Sequence, residues 1–221
     1  MNNLLIQAID IIPAIYKQLY EAAQRDDELS QLGQVGEKQM FNSRSNILKI
    51  CYNLFAELKS FDRLWRYGEM RKSYNLDPEF SFNGEGIYLY GEGQISIGAE
   101  SYIGRHSSIQ AYKDCTVTIG KKCRISNFVK IYTMNAEADQ DFSKDDLELR
   151  TGNVTIGDYC WIGAGVLIRE GVEIGENSVI GANSVVTANI PPYSIAAGNP
   201  ARVIKRKSCA AESPESLPLS V

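Results

Sequence analysis

One histidine, His106 in the run IGRHSSI, is the only side chain of its kind in the 221 residues, and imidazole is the group whose ordinary pKa suits proton transfer near neutrality. It is therefore a candidate general base, or else a corner histidine with no chemical role. The run RVIKRK (202–207) offers a guanidinium that can fork onto phosphate and lysines that act as point charges. Taken alone, it reads equally as a solvated basic end. Cys51, Cys115, Cys123, Cys160 and Cys209 form no CxxC pair and no disulfide-like framework. Cys123 and Cys160 fall where a small core residue is expected, so they read as reduced core fillers, and Cys160 is a poor nucleophile. The acidic segment 137–149 argues against a polyanionic substrate.

The element that must position these groups is the stretch Val154 to Val186. An aliphatic residue recurs there every six positions, at Ile156, Ile162, Ile168, Ile174, Ile180 and Val186. Gly follows it at 157, 163, 175 and 181, and a small residue lies four places on, at Cys160, Val166, Val172, Ser178 and Ser184. A period of six fits neither an α-helix nor a hairpin strand. It marks a hexapeptide-repeat parallel β-helix, in which single hexads cannot bury an apolar face and stacked coils share one core. An earlier block keeps the rhythm at Ile97, Ile103 and Ile109, slips over AYKDCTVT, and resumes at Ile119, Ile125 and Ile131. Asn127, Asn177 and Asn183 suit corners that need a left-handed backbone. From Met134 to Asn153 the repeat stops, and this polar segment reads as a loop projecting from the coils, of a length that is usually functional.

Ahead of the coils, residues 1–27 carry a roughly helical apolar spacing interrupted by Pro13. Gln31 to Phe41 reads as a connector. Asn42 to Arg66 reads as an amphipathic helix with Ile47, Cys51, Leu54, Leu58, Phe61 and Trp65 on one stripe, capped by Asn42, Ser43 or Ser45. Tyr74 to Gly93 reads as a transition into the coils. The expected division is a helical segment over 1–75, a mainly β domain over 76–207 and a disordered tail over 208–221. The formal charge of −4 gives no general attraction to nucleic acid or membrane surfaces. No stretch approaches a membrane-spanning length, and no leader pattern appears. The sequence thus predicts a cytoplasmic chain with no membrane span and no nucleic-acid partner.

WIGAGVLIREGVEIGENSVIGANSVV (161–186), NIPPYS (189–194) and AAGNPARVIKR (196–206) resemble the hexapeptide-repeat acyltransferases. The likeness is to the maltose and galactoside acetyltransferase branch and to the O-acetyltransferases of bacterial surface-polysaccharide synthesis. It extends over roughly 87–207. It implies a left-handed parallel β-helix, an exception to the usual right-handed crossover, and a homotrimer with acetyl-CoA in a cleft between neighbouring prisms. It implies no metal. Trp161 and Ala164 would lie along the pantetheine and thioester end, Ala182 and Thr187 would continue through backbone contacts, and Arg202 and Lys205 would meet the CoA phosphates. A γ-class carbonic anhydrase on this fold needs three histidines per zinc and is excluded by the single histidine. The histidine-rich run of serine acetyltransferases is not found.

On the acceptor side the sequence departs from the family. The run VKIYTMNAEAD (129–139) matches VxIYTxxHxxD at Val129, Ile131, Tyr132, Thr133 and Asp139, but Ala136 stands where the family has its base histidine. By the same correspondence His106, Asp114 and Asn135 would face a saccharide acceptor, and Asp139 would orient an imidazole at 136. Three readings stay open: an otherwise active enzyme substituted at 136, an enzyme whose base has moved to His106, or a trimeric CoA-binding or scaffold protein without chemistry. The implied reaction is general-base acetyl transfer from acetyl-CoA to a sugar hydroxyl, with transfer to an amino sugar as the alternative.

Overall fold

A computed structural model describes residues 37–209, with side chains from Lys49 onward. The helical reading of 1–27 and the tail reading from 210 lie outside these residues. The chain falls into two units, Met1–Arg66 and Tyr67–Val221.

Helix α1 runs Glu37–Ser73, longer at both ends than the 42–66 expected. Asn42, Ser43 and Ser45 are therefore inside the helix rather than at its cap, and the expected connector already becomes helical at Glu37. The extension at the other end has a tertiary cause. Tyr67 and Met70, one turn apart on one face, pack against the β core of the second unit. Tyr67 stacks on Phe82 at 4.2 Å, and its hydroxyl donates to the Gly84 carbonyl at 2.8 Å. Arg71 and Lys72 in the last turn suit the negative end of the helix dipole. No helix among the described residues is long and apolar enough to cross a membrane.

The second unit is a parallel β-solenoid of five coils, each contributing one short strand to each of three faces. The first coil holds β1 (Asn75–Leu76), β2 (Ser81–Asn83) and β3 (Tyr88–Tyr90). The second holds β4 (Gln94–Ile97), β5 (Tyr102–Gly104) and β6 (Ser108–Gln110). The third holds β7 (Thr116–Ile119), β8 (Arg124–Ile125) and β9 (Lys130–Tyr132). After the hairpin β10 (Met134–Ala136) and β11 (Leu149–Thr151), the fourth coil holds β12 (Val154–Ile156), β13 (Trp161–Ile162) and β14 (Leu167–Ile168). The fifth holds β15 (Glu173–Ile174), β16 (Val179–Ile180) and β17 (Val185–Val186). β18 (Ser194–Gly198) then begins another coil on the second face, and β19 (Ala201–Arg206) folds back antiparallel along it.

Period six becomes three stacks because eighteen residues, three hexads, return the chain to the same face. Ile97, Ile119, Ile156 and Ile174 stack inside the first face, Ile103, Ile125, Ile162 and Ile180 inside the second, and Ile109, Ile131, Ile168 and Val186 inside the third. All are buried, and each such side chain contributes about 1.5–3 kcal/mol by leaving water. Tyr74 to Gly93 is a full first coil rather than a transition; Phe80, Phe82 and Leu89 fill its inward positions, so no Ile–Gly phase announces it. The small residue four places on is also buried. Where it is Ser, its hydroxyl ties two coils together: Ser101 Oγ donates to the Gly120 carbonyl at 2.7 Å and accepts from Cys123 N–H at 2.8 Å.

The corner residue three places after the inward aliphatic is the one that turns left-handed. Glu100, His106, Lys122, Phe128, Tyr159, Asn177, Asn183 and Tyr193 all have φ between 52° and 60°, with Gly at 165 and 171. Asn177 and Asn183 hold this position as expected. Asn127 does not: it lies one residue early, Phe128 takes the left-handed conformation, and the Asn127 side chain instead accepts from Arg105 N–H at 3.1 Å.

The segment expected as a loop is an arm with a two-stranded base. Met134 pairs with Thr151, Asn135 with Arg150 and Ala136 with Leu149, and Gly152 N–H closes the base on the Thr133 carbonyl at 3.0 Å. Within its tip, Gln140 bonds the Glu137 and Glu148 carbonyls through Nε2 and accepts from Glu148 N–H, bracing the two sides.

Candidate active site

Outward side chains of successive coils line up because the strands pair in register. On the second face this puts Arg124, Trp161, Val179, Ile195 and Lys205 in one row. With strands about 4.8 Å apart, Trp161 and Lys205 stand roughly 14 Å from each other along that row. Trp161 is 53% exposed, and its Nε1–H points to Ser126 Oγ at 3.4 Å. Lys205 and Arg202 are both exposed on β19, about 10 Å apart along the strand.

Arg202 pairs with Ala197, whose methyl group lies over Gly181. This brings it beside the edge between the second and third faces, where Ala182 and Ala164 are exposed on successive coils and Asn183 N–H donates to the Ala164 carbonyl at 2.8 Å. Five of the six residues expected at the cofactor thus lie on one face and its edge. Thr187 lies apart from them, exposed beyond β17 at the far side of the third face.

The acceptor candidates divide between the two edges of the third face. His106 sits on the edge shared with the second face, exposed at φ 57°, its N–H on the Glu85 carbonyl and its ring stacked on Phe128 at 5.3 Å. Asp114, exposed at φ 61°, turns the opposite edge. The arm leaves beside that second turn: Tyr112 N–H donates to Thr133 Oγ1 at 2.7 Å. Asp114 and the arm base are therefore neighbours, whereas His106 lies a face away within one chain. Ala136 is exposed on β10, and Asp139 is exposed in the arm's tip.

Asn135 faces the coils and donates through Nδ2 to Glu170 Oε2. Glu170 also receives a two-pronged contact from Arg169, Nη2 to Oε1 at 2.6 Å and Nε to Oε2 at 3.3 Å, and lies 3.7 Å from Arg150 Nε. The sequence reading passed over Glu170. Its signal was the missing glycine at 169, the one interruption in the series 157, 163, 175 and 181.

Cys160 belongs to the core. Its thiol donates to the Gly175 carbonyl at 3.2 Å, and its hydrogen bond with Cys123, followed by burial, pushes its pKa far up. A thiol held protonated is no nucleophile. Among the described residues no group of His, Cys, Asp and Glu gathers to hold a metal ion.

The bacterial transferase hexapeptide (six repeats) family matches residues 153–188. The chain is 37% identical over 142 residues to the galactoside O-acetyltransferase of Escherichia coli strain K12, an alignment covering 62% of this chain and 70% of that protein. It is 39% identical over 114 residues to the polysialic acid O-acetyltransferase of Escherichia coli O1:K1 / APEC, covering 49% and 37% respectively. Among solved structures, a hexapeptide-repeat acetyltransferase from Vibrio cholerae O1 biovar eltor, complexed with acetyl coenzyme A, matches with a TM-score of 0.53 at 27% identity, covering 65% of this chain and 76% of that one.

Proposed function

The chain belongs to the hexapeptide-repeat acyltransferases, and from that premise we propose that it moves the acetyl group of acetyl-CoA to a hydroxyl of a saccharide. The observation that carries this reading is the row on the second face. Trp161 and Lys205 bracket an exposed strip on which Val179 and Ile195 offer apolar contact. Such a strip suits an extended thiol arm ending in phosphates, which Arg202 and Lys205 would bind by charge. The Vibrio cholerae relative is complexed with acetyl coenzyme A, and two relatives are O-acetyltransferases of sugars; both facts favour the same substrates here.

In the proposed reaction a base takes the acceptor hydroxyl's proton as its oxygen attacks the thioester carbonyl, and the carbon–sulfur bond breaks to release the CoA thiol. Backbone N–H groups at the coil edge would meet the developing oxyanion, and holding both substrates in one cleft supplies proximity. Position 136 is where the base belongs, and the methyl group of Ala136 cannot accept a proton. The chain as it stands would therefore bind both substrates and turn over slowly. The cleft would be completed by a neighbouring copy in a homotrimer, in the cytoplasm where acetyl-CoA is made available.

A panel of oligosaccharides and nucleotide sugars, assayed for acetyl-CoA consumption with the Ala136→His variant, tests this. The expected result is an ester on a sugar hydroxyl. An amide on an amino sugar would redirect the reading to N-acetylation, and no consumption with any acceptor would contradict enzyme function.

A further inference from the structure

Glu170 is buried where the arm meets the fourth coil. Its side chain is 4% exposed, yet the residue at the same edge of the next coil, Ala188, is exposed. What covers Glu170 includes Asn135 of β10 and Arg150 of β11, residues paired across the arm's ladder. A carboxylate taken out of water is costly unless its oxygens are paired and hydrogen-bonded. Here Arg169 and Arg150 supply charge, and Asn135 and Arg169 supply donors to both oxygens. Successive residues of a strand point to opposite faces, so turning Asn135 toward Glu170 turns Ala136 away from the coil edge.

We propose that Glu170 is the positioning residue of the acceptor site: it docks the arm to the fourth coil and thereby fixes where residue 136 stands and which way it faces. This rests on the reading of 136 as the base position, but docking and catalysis are measured separately. Hydrogen exchange on the full chain compares the parent with Glu170→Ala and Glu170→Gln. Loss of charge-assisted contacts should speed exchange in the arm base, residues 134–136 and 149–151, by about tenfold or more in Glu170→Ala. Exchange in β12 to β17 should stay as in the parent. Glu170→Gln should fall between, because its amide oxygen still accepts from Asn135 while its charge is gone.

In the Ala136→His background, adding Glu170→Ala should lower kcat toward that of the parent with the KM for acetyl-CoA unchanged. If Ala136→His gains no activity but the arm base loosens selectively, docking stands and the catalytic reading falls. Unchanged arm exchange in Glu170→Ala would overturn the inference. So would equal loosening of arm and coils, which would make Glu170 a general structural residue.

Discussion

At the scale of single residues, the cofactor candidates and the acceptor candidates differ in how they are held. Arg202 and Lys205 are exposed cations on an edge strand, so they cost little to the fold and can be removed singly. Each contact from a cation to phosphate is worth about 1.5–3 kcal/mol, or roughly ten- to a hundredfold in affinity. Calorimetry with CoA should show that loss for Arg202→Ala and for Lys205→Ala. Parent-like binding by both would leave the basic end a mere solvated terminus. Thiol labelling offers an independent check: a mild alkylating reagent on the native chain should modify Cys51 and Cys209, which are exposed, and leave Cys115, Cys123 and Cys160 unmodified. Labelling of Cys160 without unfolding would contradict its place in the core. That Trp161, Ala164 and Ala182 turn outward was legible in the sequence because they lie on regular repeats, where position dictates facing. The acceptor side was not, because the arm departs from the repeat. Nothing in MNAEAD tells that Asn135 turns inward to a carboxylate thirty-five positions away.

At the scale of elements, the stacked coils explain why glycine follows the inward aliphatic. A Cβ on Gly163 would come within 2.6 Å of Ala182 N, backbone of the next coil. Gly163→Ala should therefore cost about 1–3 kcal/mol through overpacking, seen as a lower denaturation midpoint. Gly68 gives the opposite sign. It lies inside α1 with nothing within 4 Å of an added Cβ, so Gly68→Ala should stabilise by about 0.5–1 kcal/mol. Both substitutions can be read in one thermal or denaturant series, and a stabilising Gly163→Ala would contradict the coil packing. Ile162, fully buried between Ile125 and Ile180, should cost about 2–5 kcal/mol on truncation to Ala. Coils two to five were readable from the sequence because each repeats one pattern. The first coil was not, since aromatic residues fill its interior and hide the phase. The helix extension was missed for a related reason: Tyr67 in its last turns stacks on Phe82 of that unseen coil.

At the scale of the whole molecule, the proposed cofactor cleft would have only one wall within a single solenoid. The strip with Trp161 and Lys205 is open on its outer side, and His106 stands a face away from the arm within one chain. In the proposed homotrimer a second copy's edge would close the strip, and rotational closure is a common outcome for such head-to-tail contacts. Sedimentation should show a trimer at micromolar concentration, and a stable monomer there would contradict the shared cleft. The most direct test of the central claim is a single-turnover acetylation assay on the assembled parent, Ala136→His and His106→Asn, with one competent saccharide. General-base catalysis contributes about 10²–10⁴-fold, so Ala136→His should raise the rate by about that factor while CoA affinity stays the same. A parent that already turns over well, with an activity that His106→Asn abolishes and Ala136→His leaves unchanged, would contradict it.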